Sequence, residues 1–87
     1  MATAADLSII IPTLNAATFL PRTLVALSDH HEIIIVDGGS TDRTRELAAA
    51  HNTRVLTAPR GRGTQLAAGI VAATRPWLLL LHADTRL

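Results

Sequence analysis

Length, composition and charge limit what this sequence encodes. Its 87 residues suffice for one small domain, and without cysteine they hold no disulfide and no thiolate metal site. The formal net charge is only +1, so bulk attraction to nucleic acid is not expected. A hydrophobic content of 48% with one Phe, one Trp and no Tyr predicts an aliphatic core of α/β layers.

Targeting signals are not recognisable in the sequence. No basic residue precedes the first apolar run, and that run ends at Pro12 after too few residues for a signal peptide. No segment approaches the roughly 20 apolar residues of a membrane span. We therefore expect a cytoplasmic protein, with peripheral attachment to a membrane left open.

Four apolar runs predict four buried β-strands. They cover residues 7–11, 33–37, 54–57 and 77–81. No hairpin signal separates them, so right-handed parallel crossovers are expected. With one reversal between the first and fourth strands, the prediction is a Rossmann-like α/β sheet of order 3-2-1-4 with helices on both faces.

Three helices are predicted between these strands. They cover residues 19–28, 43–51 and 64–74. Pro21 fits only the first turn of the first helix, whose Leu24 and Leu27 should pack on the sheet. Ser40 is predicted to cap the second helix, with Thr41 and Asp42 in its first turn, and Asn52 suits a left-handed position past its end.

Polar loops follow three of the four strands, at the edge where open α/β sheets bind ligands. After the second strand, Asp37 is suited to hold a sugar hydroxyl, a base edge or a metal. Gly38 and Gly39 allow a sharp turn and a close approach to a ligand. The alternative interpretation is a strand-to-helix turn with good capping chemistry and no ligand.

Two further groups of residues have alternative interpretations. Arg60 and Arg62 lie in a loop that is suited to clamp phosphate or a nucleotide base. The alternative is a solvent-exposed loop with two ordinary surface arginines. This loop is no dinucleotide fingerprint, because Leu66 occupies the third glycine position. His82 and Asp84 fall on one side of a strand end, where they would share a divalent cation or bond to each other. The adjacent histidines at 30 and 31 are given no role.

The ordered combination of these motifs resembles the nucleotide-sugar half of family 2 glycosyltransferases with the GT-A fold. The motifs are Pro-Thr-Leu-Asn after strand one, Asp-Gly-Gly-Ser-Thr-Asp after strand two and an Ala-Asp acid after strand four. More narrowly, the sequence looks like a bacterial branch in which Arg-Gly-Arg precedes the third helix and His-Ala-Asp-Thr replaces Asp-x-Asp. The resemblance extends from about residue 7 to residue 87.

The resemblance implies an enzyme that binds a UDP- or GDP-sugar with Mn²⁺ or Mg²⁺ and transfers the sugar to an acceptor, with inversion. The residues it implies for the donor are Pro12, Thr13, Asn15, Asp37, Gly38, Arg62 and Ala83. Asp84 is the implied metal ligand, with His82 in the place of the first acid. The identity of the acceptor is not implied, and no residue in the sequence is a candidate for the catalytic base.

The sequence departs from the family pattern at Gly38, where many relatives carry a second acid. It ends at Leu87, so we expect residues 1–87 to be the N-terminal nucleotide-sugar-binding part of an incomplete GT-A fold, truncated before the acceptor half. The competing interpretation is a non-catalytic nucleotide-binding or assembly module, or a truncated remnant, that self-associates through its exposed sheet edge. A generic nucleotidyl-binding α/β enzyme is a third interpretation, but the Gly-rich N-terminal signature of that class is missing.

Overall fold

A computed structural model describes residues 6–27 and 31–81 of the chain. Strands and helices alternate along it. In order they are β1 (Leu7–Thr13), α1 (Leu20–Ala26), β2 (Glu32–Asp37), α2 (Thr44–Ala49), β3 (Arg54–Thr57), α3 (Arg62–Ala72) and β4 (Trp77–Leu80). Each element was predicted, with ends that differ from the prediction by at most two residues.

The four strands form one parallel sheet in the order β3-β2-β1-β4. This confirms the predicted order and the parallel crossovers. In the register of β1 and β2, Ile9 lies opposite Ile33 and Thr13 lies opposite Asp37. The polar ends of these two central strands are therefore neighbours at the carboxyl edge of the sheet.

Helices cover both faces of the sheet, as predicted. Alternate residues of β1 point to opposite faces, so Ile9 and Ile11 belong to one core cluster and Ile10 to another. The first cluster joins the sheet to α1 and α2 through Leu20, Leu24 and Ala48. The second joins it to α3 through Leu66, Ala68 and Ala72. Leu27 also packs against the first cluster, as expected.

Glu32 holds the opposite, amino edge of the sheet together. Its carboxylate accepts hydrogen bonds from the Ser8 hydroxyl at 2.6 Å, the Thr74 amide at 2.9 Å and the Thr74 hydroxyl at 2.7 Å. Burial by itself raises the pKa of Glu32, but these hydrogen bonds outweigh it and lower the pKa to about 2. The ionised carboxylate thereby ties β2 to β1 and to the segment between α3 and β4.

The predicted cap of α2 was wrong. The helix begins at Thr44, and Ser40 lies too far ahead of it to reach its first amides. Instead, the Ser40 hydroxyl donates a hydrogen bond to Oδ1 of Asp37 and accepts one from the backbone amide of Asn15. Asp42 comes closest to the expected role, since its Oδ1 accepts the Thr44 amide at 2.9 Å.

The left-handed position predicted at Asn52 was also wrong. Among the described non-glycine residues, only Asn15 has a positive φ, of 50°. The end of α2 is closed in another way, because the Thr53 hydroxyl donates to the Ala48 carbonyl at 2.7 Å. A left-handed residue is not needed where a side chain satisfies that carbonyl.

The fourth strand was predicted to be buried, and this was wrong too. Between 40% and 58% of each β4 residue is exposed. In the part of the chain that the structure describes, β4 pairs only with β1 and forms an edge of the sheet. The described helices pack mainly over β1 and β2 and leave it uncovered. None of the helices in the two described ranges has the length and apolar character needed to cross a membrane.

Candidate functional site

Asp37 is the centre of a hydrogen-bonded turn at the carboxyl edge of the sheet. Its Oδ1 accepts the hydroxyls of Thr13 at 2.8 Å and Ser40 at 2.5 Å. Its Oδ2 accepts the amides of Gly39 at 3.0 Å and Ser40 at 2.7 Å. Four donors therefore surround a carboxylate that is 0% exposed.

These contacts keep Asp37 ionised. Burial by itself raises the pKa of this carboxyl, but the hydrogen bonds from Ser40, Thr13 and Gly39 outweigh it and hold the pKa below its usual value. Arg45 adds a longer-range attraction, with its Nε 4.0 Å from Oδ2. In this arrangement the carboxylate binds groups of the protein itself.

Asn15 joins the loop after β1 to the loop after β2. Its backbone amide donates to the Ser40 hydroxyl at 2.8 Å, and its side-chain Oδ1 accepts the backbone amide of Thr41 at 2.8 Å. The left-handed backbone of Asn15, a conformation that asparagine tolerates better than most residues, turns the chain between these bonds. The amide of Ala16 continues the link by donating to the Thr44 hydroxyl at 2.9 Å.

A cavity of about 300 Å³ opens at this edge, between the end of β1 and the start of α3. Its lining residues are Pro12, Thr13, Leu14, Arg60, Gly61, Arg62 and Gln65. Pro12, Thr13 and Arg62 were predicted site residues, and the fold brings them together here. We call this space the edge cavity.

The other predicted site residues that the structure describes lie beside the edge cavity rather than in its lining. Asp37 and Asn15 are engaged in the loop contacts described above. Gly38 is buried and donates its amide to the Thr13 carbonyl at 2.9 Å. The predicted contacts of these three residues with a nucleotide remain predictions.

Gln65 was missed by the sequence analysis. It lies in α3, is 4% exposed, and reaches across to the strand ends. Its Nε2 donates to the carbonyls of Thr13 at 2.9 Å and Val36 at 2.8 Å, and its Oε1 accepts the Gly61 amide at 3.1 Å. A glutamine in a helix usually lies in solvent, so nothing in its local sequence indicated this role.

The predicted metal ligands His82 and Asp84, together with Ala83, lie outside the described residues. Within residues 6–27 and 31–81, no three histidine or acidic side chains are grouped so as to hold a metal ion. The described part of β4 leads toward the carboxyl edge, and the Leu81 amide donates to the Ile10 carbonyl at 3.0 Å. Because the carboxylate of Asp37 is already saturated by donors, the described residues fit an anion through Arg60 and Arg62 better than a cation.

A sequence comparison decides the family. The profile described as Glycosyl transferase family 2 matches residues 8–87. The chain belongs to this family. Its fold agrees, because solved glycosyltransferases of the GT-A fold share the parallel α/β arrangement.

Curated relatives support the same assignment. An uncharacterised glycosyltransferase of Mycobacterium tuberculosis is 37% identical to this chain, over 88% of the chain and 36% of the relative. A PGL/p-HBAD biosynthesis glycosyltransferase of Mycobacterium bovis is also 37% identical, over 92% of this chain and 36% of the relative. The chain thus spans about a third of the length of these relatives.

Solved structures resemble the chain in fold. Glucosyl-3-phosphoglycerate synthase of M. tuberculosis superposes with a TM-score of 0.80 at 25% identity, over 95% of this chain and 37% of that protein. Mannosyl-3-phosphoglycerate synthase of Rubrobacter xylanophilus superposes with a TM-score of 0.83 at 22% identity, over 94% of this chain and 31% of that protein. The M. tuberculosis synthase has also been solved with Mn²⁺, UDP-glucose and phosphoglyceric acid.

Proposed function

We propose that this chain forms the donor-binding part of a glycosyltransferase and that the edge cavity takes the nucleoside diphosphate of a nucleotide sugar. The observation that carries the proposal is the edge cavity itself. It places Arg60 and Arg62 at the carboxyl edge, opposite the polar end of β1. Ligands of open α/β sheets bind at this edge, and a volume of about 300 Å³ is at the lower end for such sites.

The chemistry of the lining suits a diphosphate. A nucleoside diphosphate gains negative charge as it leaves the sugar, and guanidinium groups bind phosphate oxygens in a fixed fork geometry. Arg60 and Arg62 supply two such groups, and the Gly61 between them, with a φ of 145°, is the N-cap residue of α3. Leu14 and Pro12 give the cavity apolar surface for the base or ribose.

We also propose that a divalent cation assists the reaction, with His82 and Asp84 as its ligands. The cation would neutralise charge on the departing diphosphate. The proposal rests on the family resemblance of the His-Ala-Asp-Thr motif and on the Mn²⁺ found with the M. tuberculosis synthase. Because that synthase was solved with both Mn²⁺ and UDP, Mn²⁺ should be tested before Mg²⁺ and UDP before GDP.

Transfer of the sugar to an acceptor, with inversion, is part of the same proposal. In it, residues 1–87 are the N-terminal donor part of a longer enzyme, and the acceptor site and catalytic base belong to the remaining part. The relatives, which are about three times as long as the matched segment, support this division.

Calorimetric titration of the 87-residue chain with UDP and with GDP, each with and without Mn²⁺, tests the proposal. We expect binding of one nucleotide that strengthens with Mn²⁺, and we expect Asp84→Ala to abolish that strengthening. A control variant, Asp6→Ala, changes an acid that precedes β1 at the amino edge and should bind as the parent does. Folded protein that binds neither nucleotide would contradict the donor role.

A second candidate function is self-association through β4, which would make the chain an assembly module. The supporting observation is the apolar sequence of this edge strand, with Trp77 58% exposed and Leu79 40% exposed. An unpaired apolar edge is a template for pairing with another strand. We propose that a second copy of the chain pairs there.

Sedimentation velocity over a range of protein concentrations tests this association. We expect a dimer that dissociates in Leu79→Lys, because a charge on this face opposes pairing. Val25→Lys is the matched control, since Val25 is 76% exposed and belongs to helix α1 rather than to the edge strand. A parent chain that sediments as a monomer at all concentrations would refute the association.

A further inference from the structure

Position 38 has no room for a side chain, because Gln65 occupies the space. A Cβ built on Gly38 would lie 2.7 Å from Gln65 Oε1 and 2.9 Å from its Cδ, closer than real Cβ contacts. The backbone does not require glycine there, since the described glycines with positive φ are Gly39 and Gly61. Glycine at 38 is therefore explained by the space that Gln65 needs.

Gln65 uses this space to connect three separate parts of the site. Its Nε2 donates hydrogen bonds to the Val36 carbonyl in β2 and to the Thr13 carbonyl in β1. Its Oε1 accepts the Gly61 amide, between Arg60 and Arg62, in the segment 60–62 that we call the arginine loop. Both carboxamide donors and the acceptor are thus used inside the protein, and the side chain is buried.

We propose that Gln65 is a positioning residue for the donor nucleotide, and that its role requires glycine at 38. By holding Gly61, it sets the arginines at 60 and 62 against the ends of β1 and β2 and so fixes the shape of the edge cavity. Any side chain at 38 would displace Gln65 and release the loop. This inference rests on the proposed donor function.

The decisive variant is Gln65→Leu, which keeps the approximate size of the side chain and removes its three hydrogen bonds. We expect the affinity for UDP with Mn²⁺ to fall on the order of tenfold, as the loss of one well-placed hydrogen-bonding group does. We also expect the Gly61 amide, measured by hydrogen exchange in NMR, to exchange faster. Gln65→Glu should lose affinity as well, because an acid oxygen would face the Thr13 and Val36 carbonyls.

Glu32→Gln is the control for a general loss of stability. It weakens the amino edge of the sheet, away from the edge cavity. At a temperature where every variant is folded, it should leave both the UDP affinity and the exchange of the Gly61 amide unchanged. Equal losses in Glu32→Gln and Gln65→Leu would overturn the positioning role.

Substitution at 38 tests the required pairing. Gly38→Ala alone should lower the UDP affinity, because the added methyl overlaps Gln65. In a Gln65→Ala background, which empties that space, the same change should cost no further affinity. Additive losses would overturn the pairing.

The outcome separates this inference from the donor function on which it rests. If the parent chain binds neither UDP nor GDP, the donor function fails, and the exchange of the Gly61 amide in Gln65→Leu still decides whether Gln65 holds the loop. If the parent binds and Gln65→Leu binds equally well, the positioning role fails and the donor function stands.

Discussion

The hydroxyl of Thr13 donates a 2.8 Å hydrogen bond to Oδ1 of Asp37, and the two residues face each other at the last paired position of β1 and β2. The bond lies inside the protein, with Thr13 1% exposed and Asp37 0% exposed. It joins the neighbouring strands at the edge where the edge cavity opens. The shape of the cavity wall therefore depends on this ionised carboxylate.

Asp37→Asn should destabilise the fold. The new oxygen can still accept the amides of Gly39 and Ser40, but an NH₂ group then replaces the oxygen that accepts the Thr13 and Ser40 hydroxyls, and the charge that strengthens all four bonds is lost. Losing such hydrogen bonds to a charged group costs roughly 2–3 kcal/mol. Urea unfolding followed by far-UV circular dichroism measures the free energy of unfolding.

Glu46→Gln is the matched control for this change. Glu46 pairs with Arg43 at 3.3 Å, but the two side chains are 70% and 75% exposed. An exposed pair of this kind contributes less than about 1 kcal/mol, so the variant should unfold nearly as the parent does. If Asp37→Asn were equally stable but lost nucleotide affinity, the acid would act on the ligand and not on the turn.

Acid should destabilise the protein partly through Glu32. Its pKa is about 2 in the folded chain, against an ordinary value of 4.5 for a glutamate in the unfolded chain, so the unfolded state binds the proton more readily. The stabilisation is present above pH 4.5 and is lost as the pH falls toward 2. Glu32→Gln should lower the melting temperature at neutral pH and flatten its dependence on pH between 4.5 and 2. A parallel pH profile for variant and parent would refute this assignment, and Glu46→Gln provides the control.

The sheet was predictable because its signals are local. The continuous aliphatic runs at 9–11 and 33–36 are typical of central parallel strands buried on both faces. The absence of hairpin turns then limited the connections to right-handed crossovers, and one reversal between the first and fourth strands completed the predicted order. The exposure of β4 was not predictable, because a strand made only of apolar residues has the same sequence pattern whether or not helices cover it.

The candidate site was only partly predictable. Thr13 and Asp37 were expected at the same edge of the sheet because each follows or ends a parallel strand, but the hydrogen bond between them was not predicted. Gln65 lies 52 residues from Thr13 in sequence, and no periodicity or spacing predicts a contact of that range. Likewise, Ser40 is a residue type that often caps helices, but its hydroxyl donates to Asp37 instead of capping α2.

Gly69→Ala should destabilise the packing of α3 on the sheet. A Cβ at 69 would overlap Cγ2 of Ile10 and lie 3.1 Å from Cγ2 of Val36. Overpacking of this kind typically costs about 1–3 kcal/mol. Gly63→Ala is the control within the same helix, because no atom lies within 4 Å of its added Cβ and alanine favours a helix. In thermal unfolding we expect the first variant to melt lower than the parent and the second to melt at the same temperature or higher.

Ile10→Ala identifies the cause of that loss. It removes the methyl group that a Cβ at 69 would meet, so adding Gly69→Ala to it should cost less than in the parent. Both single variants and the double variant are compared by urea unfolding. Strictly additive free energies would show that the loss in Gly69→Ala arises elsewhere in α3.

Arg60→Ala and Arg62→Ala should each weaken nucleotide binding without unfolding the protein. Both side chains are exposed and line the edge cavity, so their removal leaves the core intact and takes positive charge from the proposed diphosphate site. We expect each variant to lower the affinity for UDP on the order of tenfold, and the effect to shrink as salt is raised, because exposed charges are screened. Arg22→Ala removes an exposed arginine on α1 and should bind as the parent does. Calorimetry at low and high salt, with melting temperatures alongside, makes the comparison. Equal affinities for all three variants would place the diphosphate outside the arginine loop.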